Sequence, residues 1–207
     1  MPTCYWRGGT FAFTTSESDS ICNMGTLAYI KNFIRDRDVA AITPSSKFLV
    51  KRVCKWIDFD TPRRIVEYGP GTGVFSKYLL EHMHEDSELI MIEGNASFVE
   101  SLRAFSEPDP RAVVVHDRAE NVRKILDDRG LEYADYVLSG IPFSFLDDDV
   151  KHQLISRTKD VLKDDGKFLV YQNYNHMEKP LRRHFDTVKR EYELLNVPPM
   201  FAYEALK

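Results

Sequence analysis

The chain has 207 residues, 43% of them hydrophobic and 29% charged, with a formal net charge of −4, which suits one domain with a full core and excludes a disordered or strongly polybasic protein. The cysteines (Cys4, Cys22 and Cys54) are odd in number and scattered, which excludes an even disulfide framework and metal-type spacing and predicts a reducing cytoplasm. No basic region followed by an apolar run opens the chain, so no signal peptide is expected. No stretch approaches the roughly 18–20 apolar residues of a spanning helix.

In chain order, residues 1–22 are rich in Gly, Thr and Ser, lack apolar periodicity and are read as a flexible arm. A helical pattern begins at Asn23, with Leu27, Ile30 and Ile34 recurring and Met24 and Phe33 near the same side. A second helix is expected from Thr43-Pro44, a capping residue followed by a proline at the first helical position. Its one face carries Leu49, Val53 and Trp56, and another carries Lys47, Lys51 and Lys55. Residues 23–66 hold nine Lys/Arg and four Asp, a net of +5 in an otherwise acidic chain. Such a segment predicts either a solvated helix face or an anionic partner. We divide the chain into the arm at 1–22, amphipathic helices or a lid at 23–60, and a main domain at 61–207.

From Thr61-Pro62 the period changes. Strands are expected at Arg64–Glu67, Leu89–Glu93, Ala112–His116, Tyr133–Ser139 and Gly166–Gln172. Helices are expected at Val74–Met83, 96–105, Val122–Asp128 and Asp148–Leu162, and near Pro180–Phe185. Two closing strands, Thr187–Asn196 and Met200–Leu206, have no helix between them. Alternating β and α elements predict a doubly wound parallel sheet, and the closing pair an antiparallel hairpin at its edge.

The first strand ends in Glu67, and Gly69, Gly71 and Gly73 follow at alternate positions before a helix. Glycine there permits tight turns and close approach of a ligand to the backbone. Glu93 closes the second strand, 22 residues after Gly71, the distance at which a carboxylate accepts hydrogen bonds from a ribose diol. A dinucleotide is the rival ligand, but its fingerprint spaces glycines as G-x-G-x-x-G. A carboxylate at Glu67 would also repel a pyrophosphate, and it suits the cationic amino acid end of S-adenosylmethionine.

Here the chain resembles the class I methyltransferases, a Rossmann-like α/β fold whose seven-stranded, mostly parallel sheet ends in an antiparallel hairpin. Four segments extend the likeness: Thr43-Pro44-Ser45-Ser46, Glu67 through Phe75, Ser139-Gly140-Ile141-Pro142-Phe143, and Asn196-Val197-Pro198-Pro199. They are similar to the small bacterial phospholipid N-methyltransferases, which act on phosphatidylethanolamine or ornithine lipids. The resemblance implies S-adenosylmethionine as methyl donor and S-adenosylhomocysteine as product. It places Glu67, Gly69, Gly71 and Gly73 around the methionine part, Glu93 on the ribose, Asn95 beside the adenine, and Ser45 and Ser46 over the cofactor as part of a lid. Arg118 stands where the family often has an adenine-reading Asp, which leaves Asp117 or the backbone about Ala119 and Glu120 for that task. Ser139 borders both cofactor and reaction centre.

Transfer from an activated sulfonium to nitrogen needs chiefly proximity and alignment. The carbonyls of Ser139 and Gly140 are placed to orient the amine, with Tyr174 as a further contact. Ile141 and Phe143 complete the expected substrate side, Phe143 offering a π face to a methylated cation. A lipid acceptor implies peripheral binding at the inner face of the cell membrane, with residues 23–57 as the docking segment; the competing reading packs that face on the sheet. Three other functions fit the layout less closely. An rRNA adenine dimethyltransferase resembles Asn-Leu-Pro-Tyr where this chain has Ser-Gly-Ile-Pro-Phe, and the acidic body speaks against nucleic acid. The others are a methyltransferase for a soluble amine and a non-catalytic cofactor-binding membrane module.

Overall fold

A computed structural model describes residues 45–207. The expected arm and the expected helix beginning at Asn23 lie outside the described residues. From Lys47 the elements run α1 (Lys47–Cys54), β1 (Arg64–Tyr68), α2 (Val74–His82), β2 (Glu88–Glu93), α3 (Ala96–Ser106), β3 (Ala112–His116), α4 (Val122–Asp128), β4 (Ala134–Ser139), α5 (Asp148–Val161), β5 (Leu162–Gln172), α6 (Glu178–His184), β6 (Thr187–Glu193) and β7 (Met200–Leu206).

The seven strands form one sheet in the order β3-β2-β1-β4-β5-β7-β6. The first five are mutually parallel, and β7 runs antiparallel to both β5 and β6. This is the expected α/β architecture with its closing hairpin. The chain reverses its direction of travel across the sheet between β1 and β4, and open α/β sheets bind ligands at such a switch point, beyond the carboxyl ends of the strands.

Side chains alternate across each strand, which gives two cores. Val66, Ile90, Val137 and Phe168 face α4, α5 and α6. Ile65, Met91, Leu138 and Leu169 face α1, α2 and α3. Glu67 is on the second of these faces by the same alternation. Leu49 and Val53 of α1 are fully buried in that second core, each worth about 1.5–3 kcal/mol of apolar burial. Arg52 binds Glu193 at 2.6 Å and Glu191 at 2.8 Å, and Lys55 binds Glu191 at 2.6 Å. For α1, therefore, the apolar face packs on the sheet, and half of the basic residues from Lys47 to Lys55 are tied to β6.

Three boundaries differ from expectation by three residues or more. Helix α1 starts at Lys47, capped by Ser46, whose Oγ accepts from the Leu49 N–H at 3.2 Å. Ser46 displaces Thr43 as the cap because its own N–H is held from across the fold, donating to Asn196 Oδ1 at 2.7 Å. Strand β5 begins at Leu162, four residues early, directly after α5, and passes through a left-handed Asp165 (φ 65°). Strand β6 ends at Glu193, because the Glu193 carboxylate turns back to accept from the Leu195 N–H. Among the described residues, no helix is long and apolar enough to cross a membrane.

Candidate active site

The loops after β1, β2 and β4 are stitched together at the carboxyl edge. The Gly69 N–H donates to the Ile92 carbonyl at 2.9 Å, and the Gly140 N–H donates to the Tyr68 carbonyl at 3.0 Å. The Ile141 side chain lies against Gly69, 3.3 Å from where a Cβ would stand. Between these walls, Gly71 has a left-handed φ of 55° and nothing within 4 Å of the place its Cβ would take. The loop therefore presents bare backbone to open space. Gly73 is bare for another reason. A Cβ there would stand 2.6 Å from the Phe105 ring and 3.1 Å from Leu102, so this glycine lets α2 and α3 pack, and its φ of 76° is the left-handed turn that the sequence reading expected.

Two buried carboxylates flank this loop, one two residues before Gly69 and one bonded to Gly71. Glu67, 2% exposed, accepts from Ser76 Oγ at 2.6 Å, and no cation pairs with it among the described residues. Burial pushes its carboxyl up to about 7, opposed by the Ser76 hydroxyl and reinforced by the nearby Glu93 charge. Glu93 accepts from the Gly71 N–H at 3.0 Å and from the Asn95 N–H at 2.9 Å, so it braces the glycine loop. Its carboxyl is raised by burial, an effect that the backbone donors oppose. Two buried acids with no ion-pair partner among the described residues, Glu93 having only the nearby His116 ring, make a site short of positive charge.

At the end of β4, Ser139 is fully buried and its Oγ accepts from the Ile141 N–H at 3.3 Å. The loop is clamped by Gln172, which sequence reasoning gave no role. Its Nε2 donates to the Ile141 carbonyl at 2.7 Å, and its Oε1 accepts from the Phe143 N–H at 3.1 Å. Phe143 itself is fully buried and packs edge-on against Phe168. Its ring belongs to the core, which corrects the expectation of an exposed π face. Tyr174 is 67% exposed. Tyr171, at the end of β5, also borders the loop after β4. Its hydroxyl fills the space a Cβ on Gly140 would need, its ring stacks on Phe75 at 4.5 Å, and it is hydrogen-bonded to Ser45. Burial and the charge of Glu67 raise its phenol. The signal for Tyr171 was its place at the end of β5, but side-chain direction was not readable there.

Ser45 and Ser46 thus lie at this edge, held by Tyr171 and Asn196 respectively. The remaining candidates are engaged within the protein. Asn95 caps α3 by accepting from the Ser97 N–H at 2.9 Å. Asp117 accepts from the Arg118 N–H and the Asn121 amide, both at 2.7 Å. The Arg118 guanidinium is paired with Glu120, and Ala119 is buried at the start of a 3-10 turn.

A family model described as the methyltransferase small domain matches residues 39–193. Over 180 residues the chain is 31% identical to the ornithine lipid N-methyltransferase of Singulisphaera acidiphila, covering 84% of this chain and 91% of that protein. The chain is a class I S-adenosylmethionine-dependent methyltransferase of the lipid N-methyltransferase family. Two solved structures share the fold of this methyltransferase. The precorrin-6y methyltransferase of Geobacter metallireducens superposes with a TM-score of 0.65 at 14% identity, over 81% of this chain and 93% of that one. A 1,6-didemethyltoxoflavin methyltransferase of Burkholderia thailandensis, solved with S-adenosylhomocysteine, does so with a TM-score of 0.62 at 14% identity, over 97% and 93%. The methyltransferase uses S-adenosylmethionine and releases S-adenosylhomocysteine. Its residues fit that cofactor: Gly71 leaves the loop open, and Glu67 is a buried carboxylate with no cation paired to it among the described residues.

Proposed function

We propose that the methyltransferase transfers methyl groups to the amine of a membrane aminolipid, phosphatidylethanolamine or an ornithine lipid. The observation that carries this reading is the 31% identity, across nearly all of both chains, to an ornithine lipid N-methyltransferase. The site geometry is compatible with it. Glu67 would hold the amino group of the methionine part, with Gly69 and Gly71 beneath it and Gly73 fixing the helix behind. Glu93 would take the ribose, and Ser45 and Ser46 would cover the cofactor.

The cofactor supplies a methyl group already activated on a sulfonium. What the chain must add is a neutral amine held in line. The carbonyls of Ser139 and Gly140, fixed by the Gln172 clamp, and the walls formed by Ile141 and Tyr171 would position it. Partial desolvation there disfavours an ammonium and so helps deprotonate the amine without a dedicated base. Asp117, Arg118 and Ala119 line the segment that would border the adenine; because Arg118 is bound to Glu120, backbone groups are the better readers of the base.

The test is methyl transfer from labelled S-adenosylmethionine to liposomes of phosphatidylethanolamine or ornithine lipid. Label in the lipid extract is the expected result. Label in added RNA or in a soluble amine, with none in lipid, would refute the proposal.

A further inference from the structure

The β6–β7 hairpin ends in a tip that is turned inside out. Over residues 194–199 the polar side chain is inside and the aliphatic ones are outside. Asn196 is 3% exposed, whereas Leu194, Leu195 and Val197 are 68, 62 and 72% exposed. The inversion is held in place by hydrogen bonds. Asn196 accepts from the Ser46 N–H and donates to the Pro198 carbonyl at 2.7 Å, and the Glu193 carboxylate accepts from the Leu195 N–H at 2.8 Å. A hairpin tip facing only water would favour the opposite pattern, and adjacent exposed aliphatics mark a surface made for contact.

The position of the tip says what it contacts. Phe201 of β7 pairs with Gln172 at the end of β5, so the antiparallel hairpin brings its tip to the carboxyl edge, where the active site opens. Asn196 joins it to the start of α1, where Lys47 and Lys51 are exposed and have no ion pair among the described residues. Arg52 and Lys55, which neighbour them, are already neutralised by Glu191 and Glu193. The opposite face of the same edge carries the acidic run Asp147–Asp149 at the start of α5.

We propose that the hairpin tip, flanked by Lys47 and Lys51, is a docking surface for an anionic lipid bilayer, with Leu194, Leu195 and Val197 entering the interface and the two lysines meeting the headgroups. The inference rests on the lipid reading of the active site and deepens it: the surface would bring the site mouth to the membrane that contains the acceptor. It is built from residues 46–51 and 194–199, all within the described residues.

The experiment sediments the full chain with vesicles of phosphatidylglycerol and phosphatidylcholine, and with phosphatidylcholine alone. The triple variant Leu194→Ser, Leu195→Ser, Val197→Ser is expected to bind mixed vesicles roughly tenfold or more weakly. It should keep S-adenosylhomocysteine affinity and methyl transfer to a short-chain aminolipid below its micelle concentration. Lys47→Glu with Lys51→Glu is expected to lose binding to the anionic vesicles only. Unchanged vesicle binding by the triple variant overturns the proposal. So does loss of self-association in place of vesicle binding, which would assign the tip to a second copy of the chain. Protection of the Leu194 and Val197 amides from hydrogen exchange without vesicles would assign it to the chain's own N-terminal segment and equally overturn it. If the wild-type protein methylates neither vesicle nor short-chain lipid, the functional reading fails, while the sedimentation result still judges the tip.

Discussion

Replacing Glu67 by Gln separates what this carboxylate does for the cofactor from what it costs the fold. Its carboxyl is pushed from 4.5 to about 7 by burial. A group whose folded pKa is raised stabilises the fold fully below its unfolded value, and this contribution is lost as pH rises through the folded value. Without cofactor, the wild-type protein should therefore lose on the order of 3 kcal/mol between pH 4.5 and somewhat above 7 from this one group. The glutamine side chain of the Glu67→Gln variant cannot ionise, and its amide oxygen can still accept from Ser76. At pH 8 this variant should melt several degrees higher than wild type, at roughly 2–4 °C per kcal/mol for a domain of this size. Binding runs the other way. A cationic amino group needs the ionised carboxylate, so the variant should bind S-adenosylhomocysteine at least tenfold more weakly. Wild-type affinity should fall by up to about tenfold per pH unit below 7, as binding becomes tied to release of a proton. Scanning calorimetry from pH 5.5 to 8.5, with titration calorimetry in buffers of different ionisation enthalpy, reads both effects. A variant less stable than wild type at pH 8, or an affinity flat across that range, would refute the assignment of Glu67 as a buried anion awaiting a cation.

Two further comparisons follow from the site. Gly73→Ala should destabilise the fold by about 2–4 kcal/mol, from a left-handed φ of 76° and the collision with Phe105. Gly71→Ala should cost only about 1 kcal/mol of stability yet weaken S-adenosylhomocysteine binding; urea unfolding beside titration calorimetry distinguishes them, and equal losses of stability would contradict the division of labour. Tyr171→Phe keeps the stack on Phe75 and removes the hydroxyl that meets Ser45 and Gly140. It should lower kcat at least tenfold while leaving the unfolding free energy within about 1 kcal/mol, and unchanged turnover would remove Tyr171 from the site.

The elements that were legible in the sequence are those written in local pattern. Ala112–His116, Val122–Asp128 and Met200–Leu206 fall where periodicity placed them, because apolar spacing and flanking turns are short-range signals. The glycine loop and Glu93 were legible through their spacing, and Glu67 through its charge. Three features were not legible, each set by a distant partner. Ser46 starts α1 in place of Thr43 because Asn196, 150 residues on, holds its N–H. Phe143 is buried because Gln172 pulls its loop inward. The purpose of Gly73 depends on Phe105, whose direction no period reveals. The basic stretch was visible, but the sequence did not show that Arg52 and Lys55 are taken by β6.

Asn196 gives the hairpin tip two unlike histories in a single turn. Among the described residues, β6 is an edge strand that borders only β7, so the outward residues at 194, 195 and 197 are free to drift with the surroundings in which a relative works. Asn196 is not free, because it ends on Ser46, next to the serine that meets Tyr171. Among relatives, position 196 should therefore change together with position 46, while its neighbours should follow the habitat of the protein. A transplanted tip should be tolerated by the chemistry only if it carries its asparagine.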